Sequence, residues 1–345
     1  MQALVTQPGH THTTRIEDVP AVEAREGEVL VRTLEVGVCG TDREISEGLF
    51  GIAPQDEQLL VLGHEALGVV EQDGYGFTRG QLVTATVRRS CCHCLACAEE
   101  SPDSCLTGDY SERGITRLHG YDRELVAEDP EQLVAIPKSL GRLGVLAEPT
   151  SICERALRHS RTIGGRQPWQ LERALVIGAG AIGLLATYLL RLADVEVTTA
   201  SLEPENELVE QSGAQYVSTH DNELSALGKF DLVIEAAGNA QLMAQTLGLL
   251  RRSGVACLLG IDPHHQTVEL DGPVLGVDTI LENHVLFGSV NAHRQDWLAA
   301  VDDLDRARER WPEALEQFVT LRLPLDRFQE AFEHRGGKAT LVLSD

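Results

Sequence analysis

Three short stretches carry side chains able to bind a metal: Cys39-Gly40-Thr41-Asp42, Gly63-His64-Glu65 and Glu148-Pro149. Together they supply one thiolate, one imidazole and two carboxylates. Structural zinc sites close their shell with four Cys or His ligands, whereas mixed Cys/His/Glu ligation leaves a position for water or a substrate oxygen. These stretches therefore suit a catalytic zinc. A second set, Cys91-x2-Cys94-x2-Cys97-x7-Cys105, has four thiolates at the spacing of a closed tetrahedral zinc. Glu99, Glu100, Ser101 and Asp103 lie between them, so inert buried cysteines fit this polar loop poorly. Cys92, Cys153 and Cys257 read as small apolar packing.

The other chemical signal is Gly178-Ala179-Gly180-Ala181-Ile182-Gly183. It stands between a buried-type strand, Arg173 to Gly178, and a run with helical spacing, Ala181 to Leu192. In such a turn the first glycine bends sharply, the second admits a pyrophosphate, and the third lets helix pack on strand. The helix N-terminus then offers unpaired N–H groups to the phosphates. Downstream, Ala200-Ser201-Leu202-Glu203-Pro204-Glu205 contains no arginine, and Glu203 falls about 20 residues past the motif, where an acid holds the ribose hydroxyls of NAD. NAD is favoured and NADP remains possible. A helix N-terminal charge is the competing account of Glu203.

The elements that must position these groups fall into two styles. Residues 1 to about 90 are short β-rich runs with glycine punctuation, including Glu28–Gly37, Leu59–Val70 and Gly80–Val87, as in a barrel-like β domain. From about residue 173, strands alternate with helices: Pro204–Gly213 and Ala240–Arg251 read as helices between strands. That alternation predicts a doubly wound parallel sheet of six strands. A helix around Gln295–Arg308 and a last strand, Ala339–Leu343, are expected to return to the first domain. The expected division is 1–156, 157–290 and 291–345.

Composition excludes other classes. With 53 acids against 29 bases the net charge is −24, which repels phosphate backbones and anionic lipids, so nucleic acid and membrane partners are not expected. No run of eighteen apolar residues appears. Met1-Gln2-Ala3-Leu4-Val5 reads straight into a strand rather than a signal core, and a cytoplasmic protein is expected. Only Lys138, Lys229 and Lys338 are lysines. That balance fits either a salt-rich cytoplasm or an acidic enzyme from an Arg-favouring genome.

In this order, Cys-Gly-Thr-Asp, Gly-His-Glu, the four-cysteine loop and the glycine motif resemble a zinc-dependent medium-chain dehydrogenase/reductase over essentially the whole chain. Val87-Arg88-Arg89, Glu112-Arg113-Gly114-Ile115 with His119-Gly120-Tyr121, Leu146-Ala147-Glu148-Pro149 and Gly288-Ser289-Val290-Asn291 are most similar to the archaeal-type glucose (aldose) 1-dehydrogenases. The resemblance implies an α/β protein with a GroES-like β-barrel catalytic domain and a Rossmann cofactor domain. It implies Cys39 and His64 as zinc ligands, Glu65 as a ligand in some states or a neighbour of the ligands, and Glu148 on the metal directly or through water. Thr41 would pass the proton from the sugar hydroxyl, while Glu112, Glu148 and Asn291 would bind the sugar. A homodimer or homotetramer is also implied.

The chain departs from the family twice. The paired arginines of NADP-using members are absent, and Leu281 stands where some members have a histidine ten residues before the asparagine, so sugar preference is expected to differ. Each residue has a plainer account as well. His64 could be structural, Glu148 could begin a helix, and Thr41 could cap a turn. Glu112 could pair near Arg113, and Asn291 could serve a turn. The expected reaction is oxidation of an aldose at C1 to the lactone with hydride transfer to NAD(P). A sorbitol-like polyol dehydrogenase and a non-catalytic nucleotide-binding protein are the alternatives.

Overall fold

The computed structural model describes residues 1–264 and 267–344, which form two compact units. The first comprises Met1–Ser151, Asn291–Asp305 and the segment from Val319 onward. Its centre is the strand Val29–Val38, paired antiparallel with Glu65–Val70, Leu125–Glu128 and Lys338–Val342 in a seven-stranded sheet. Alternation in this strand turns Val29 and Val31 inward, and Val36 joins them against Ala66, Val70, Val83, Val126 and Leu133. Each such fully buried aliphatic side chain contributes about 1.5–3 kcal/mol.

A register shift between Thr33 and Glu35 accompanies a buried acid. Glu35 is fully buried and held by Arg322 Nε at 3.0 Å, Arg142 Nη1 at 3.2 Å and the Thr340 hydroxyl. The barrel core thus closes over a satisfied carboxylate rather than an orphan.

The second unit comprises Ile152–Val290 and Arg306–Phe318. Its sheet is wholly parallel, in the order Gln215–Ser218, Glu196–Ser201, Arg173–Ile177, Phe230–Glu235, Leu250–Leu258, Val285–Gly288. The chain winds outward in both directions from Arg173–Ile177, and such a reversal opens a ligand crevice beyond the carboxyl ends of the strands. The tail divides between the units. Arg306–Phe318 groups with the parallel sheet because Trp311 and Phe318 meet Tyr188 edge-on, at 5.1 and 4.8 Å between ring centres.

Among the expected elements that differ in extent, three show the cause. The Leu59–Val70 run is two strands, Leu60–Val61 and Glu65–Val70, because Leu62-Gly63-His64 leaves the ladder. The Pro204–Gly213 helix shrinks to Glu207–Gln211, whose first turn is capped by Asn206 Oδ1 accepting from Val209 N. The Ala240–Arg251 helix ends at Gln245 and tightens into a 3-10 turn, Thr246–Leu249, with Arg251 already in the next strand. Among the described residues, no helix is long and apolar enough to cross a membrane.

Candidate active site

Cys39 stands at the N-cap of the helix Gly40–Ser46. Its Sγ accepts from Thr41 N at 3.3 Å, and Asp42 Oδ2 accepts from Cys39 N at 2.9 Å. This is a capping box with sulfur in place of the usual hydroxyl. The helix dipole favours negative charge at that end. His64 Nε2 lies 3.1 Å from the Cys39 sulfur, while His64 Nδ1 faces Asp42 Oδ1 at 3.3 Å. One carboxylate therefore braces the helix and the imidazole together, in the way an outer carboxylate orients a metal-binding histidine.

Glu65 opens the strand after His64 and sits opposite Gly37. A Cβ at Gly37 would come within 2.1 Å of Glu65 Oε2, so only glycine leaves room for the carboxylate. Both Glu65 oxygens accept from Lys338 Nζ, at 2.7 and 2.5 Å, and the same ammonium donates to Val38 O at 3.3 Å. Donor atoms of Cys39, His64 and Glu65 all lie within 4.8 Å of one another. Glu148, in the first turn of the helix Ala147–Gly164, is buried nearby but falls outside that set.

Charge organises these side chains. Burial raises the cost of ionising Asp42, yet the facing imidazole, the Cys39 amide and Lys338 together outweigh it and lower the Asp42 pKa. Burial likewise opposes charge on His64, but Cys39 and Asp42 hold its pKa well above the usual imidazole range. Lys338 is raised in spite of burial because Glu65 and Cys39 face it. Glu148 is pushed up to about 8, by burial first and then by Glu65. Glu148 is thus the acid that this buried cluster disfavours in its charged form.

The residues fit zinc. A thiolate and an imidazole on one tetrahedral zinc are separated by roughly 3.5 Å, by the ordinary bond lengths, close to the Cys39–His64 contact. In the second cluster the Cys91–Cys97, Cys94–Cys97 and Cys94–Cys105 sulfurs are 3.8, 3.4 and 3.9 Å apart, and all four lie within 4.8 Å. Four sulfurs around one zinc would be about 3.8 Å apart.

The remaining expected residues divide into two places. Glu112 Oε1 accepts from Arg88 Nε at 3.0 Å and pairs with Arg88 Nη2 at 2.9 Å, while Arg113 turns instead to Glu128. Asn291 is buried in the left-handed region at φ 66° and donates from Nδ2 to Asp103 O at 3.3 Å. In the second unit, Gly178 takes φ 104°, and a Cβ on Gly183 would meet Gly178 O at 1.9 Å. Gly180 is the N-cap of the helix Ala181–Leu192 that begins Ala181-Ile182, and its Cβ position meets nothing within 4 Å. Turn, close packing and open approach thus fall on the first, third and second glycines. Ser201 donates its hydroxyl to Glu203, and Tyr216 OH donates to Glu203 O at 2.6 Å. Glu203 precedes the Asn206 cap and so stands outside the helix.

Sequence reasoning assigned no role to Asp42, Lys338 or Arg88. Asp42 carried a signal, since an acid three residues after the N-cap Cys39 is the reciprocal half of a capping box. Lys338 carried one too, as one of three lysines and the first residue of a strand otherwise without charge. Arg88 had none, because its partners lie 15 and 24 residues away.

A barrel bearing a Cys/His/Glu cluster and a doubly wound sheet bearing a dinucleotide turn define the zinc-dependent medium-chain dehydrogenase/reductases. Residues 25–138 match the alcohol dehydrogenase GroES-like domain, and residues 141–344 match the glucose dehydrogenase C-terminus. The chain is 38% identical to the glucose 1-dehydrogenase of Methanocella arvoryzae over 345 residues, covering 96% of each. It is 40% identical to glucose 1-dehydrogenase 1 of Caldivirga maquilingensis over 341 residues, covering 96% of this chain and 95% of that one. The solved structure of Haloferax mediterranei glucose dehydrogenase in complex with NADP, zinc and gluconolactone superposes with a TM-score of 0.90, at 32% identity and full coverage of both chains. The chain belongs to the glucose dehydrogenase family within that class.

Proposed function

We propose that this chain oxidises an aldose, glucose or a close relative, at C1 to the aldonolactone, with hydride transfer to a nicotinamide dinucleotide. The observation that carries the reading is the meeting of a half-buried Cys39 with buried His64 and Glu65 in a chain of this family. Cys39 and His64 would hold a zinc ion, with Glu65 on it or exchanging with it and Glu148 on it directly or through water. Bound there, zinc lowers the pKa of the sugar's C1 hydroxyl and the nicotinamide accepts the hydride. Thr41 takes the departing proton and passes it on. Glu112, Glu148 and Asn291 hold the sugar hydroxyls, Asp42 fixes the imidazole, and Lys338 balances Glu65. Cys91, Cys94, Cys97 and Cys105 would hold a second, closed zinc.

Ser201 and Glu203 favour NAD, because a ribose phosphate there would face a carboxylate. No described cysteine is paired in a disulfide, as fits a reducing compartment, and we place the enzyme in the cytoplasm. It acts as a homodimer or homotetramer on a small sugar.

The test is reduction of NAD and of NADP over glucose, galactose, xylose, sorbitol and threonine, with Cys39→Ser and His64→Ala beside the unsubstituted chain. Aldose turnover, faster with NAD, is expected. Each variant should lose one zinc per chain and about a thousandfold or more in kcat/KM, the scale of losing metal-assisted chemistry. Preference for sorbitol, or full activity with the site empty, overturns the reading.

A further inference from the structure

Between Cys97 and Cys105, three backbone carbonyls of the four-cysteine lobe accept from side chains outside it. Glu100 O accepts from His293 Nε2 at 3.0 Å, and Pro102 O from Ser90 Oγ at 2.5 Å. Asp103 O accepts twice, from Arg88 Nη1 at 2.7 Å and from Asn291 Nδ2 at 3.3 Å. The two groups that meet on Asp103 O are not an arbitrary pair. Arg88 grips Glu112 with its other nitrogens, and Asn291 is itself one of the residues assigned to the sugar. Glu112, through Arg88, and Asn291, more than 170 residues apart in the chain, thus converge on one carbonyl.

We propose that Arg88 is the positioning residue of the sugar pocket, tying Glu112 to the carbonyl of the four-cysteine lobe that Asn291 also holds, so that the lobe sets their spacing. This rests on the reading of Glu112 and Asn291 as sugar-binding groups. The guanidinium is built for the task. It lies 4.0 Å over the Tyr110 ring, and only 10% of its side chain is exposed, against 12% for Glu112. Nε and Nη2 both fall on Glu112 Oε1, which leaves Oε2 as the oxygen to meet a hydroxyl. Nη1 is aimed at the lobe. A planar fork can do both at once, whereas a lysine ammonium at the end of a flexible stem cannot hold that angle. The loop carrying Asp103 lies between Cys97 and Cys105, so the four-cysteine lobe is linked to Glu112 through this arginine and to Asn291 through the same carbonyl.

The experiment compares Arg88→Lys, Arg88→Gln and Tyr110→Leu with the unsubstituted enzyme. It reads KM for sugar and for dinucleotide, kcat, melting temperature and zinc per chain. A turnover-free readout is calorimetric binding of 1,5-anhydro-D-glucitol, which is glucose without its anomeric hydroxyl. Losing the hold on one buried charged contact corresponds to about a 10- to 100-fold rise in sugar KM. That rise is expected in both arginine variants, matched by the Kd of the analogue, with dinucleotide KM unchanged and both zinc ions retained. Tyr110→Leu should show a smaller rise of the same kind. A merely structural arginine would lower the melting temperature and leave the two KM values in their original ratio, and that result overturns the proposal. If the arginine variants fail to fold, an unchanged sugar KM in Tyr110→Leu overturns it. No aldose turnover by the unsubstituted enzyme overturns the functional reading, and this proposal with it; turnover with unaltered sugar KM in the variants overturns this proposal alone.

Discussion

Asp42 does two jobs with two oxygens. Oδ2 satisfies the Cys39 amide, and Oδ1 faces His64 Nδ1. Asparagine could keep the first contact but not the negative charge behind the second. Asp42→Asn is therefore expected to preserve the helix Gly40–Ser46 while weakening zinc binding about 10- to 100-fold, the usual cost of losing an outer partner of a metal-binding histidine. Competition with a chelator measures it, and unchanged zinc affinity would show that Asp42 serves the helix alone. Lys338 works by the same logic from the opposite sign. It is 3% exposed, as is the Glu65 side chain it pairs with, so either one alone would be a buried uncompensated charge.

At the scale of single strands, two buried glutamates titrate in opposite senses. Glu128 ends the strand Leu125–Glu128 and accepts from Arg113 Nε at 2.9 Å and Tyr121 OH at 2.6 Å, with Arg89 Nη2 at 2.8 Å. Burial opposes its charge, but the two guanidinium groups win and lower its pKa below the ordinary 4.5. Its contribution is present above pH 4.5 and is lost as pH falls through the lower folded value. Glu235 ends the strand Phe230–Glu235, where burial raises its pKa although the Ala237 and Asn239 amides donate to Oε1. Its contribution is present below 4.5 and is lost as pH rises through the raised value. Glu128→Gln should therefore cost most at neutral pH, about 3–5 kcal/mol for breaking a buried pair, and less in acid. Glu235→Gln should gain on the unsubstituted chain as pH rises. Denaturant unfolding from pH 4 to 8 compares them, and parallel curves for the two variants would refute the assignment.

At the scale of the whole molecule, the strand Val285–Gly288 pairs, among the described residues, on one side only, with Leu250–Leu258. Leu281, Leu286 and Val290 beside it are exposed at 66%, 42% and 62%. An apolar edge of this kind invites pairing with a like edge unless it is covered. A second copy of the chain is the expected cover, and light scattering should give the mass of two or four chains. Leu281→Glu with Val290→Glu should halve that mass, and a monomer before substitution would refute the interface.

Much of this architecture was legible in the chain itself. The two-domain α/β fold class followed from hydrophobic periods of 2 and 3.6, from glycine punctuation, and from a turn whose glycine demands are local. The cysteine spacing and the Cys-Gly-Thr-Asp stretch were local as well. Element ends were less legible, as with Ala240–Gln245, because a helix stops where packing stops supporting it and not where propensity does. What only the tertiary structure decided was pairing. Lys338 meets Glu65 across 273 residues, Arg322 meets Glu35 across 287, and Asn291 meets Asp103 across 188. A buried charge must find its partner in space, and nothing about its neighbours in the chain says which partner that will be. Residue types and spacing determined which chemistry the protein can hold; folding decided which side chains balance it and hold it in place.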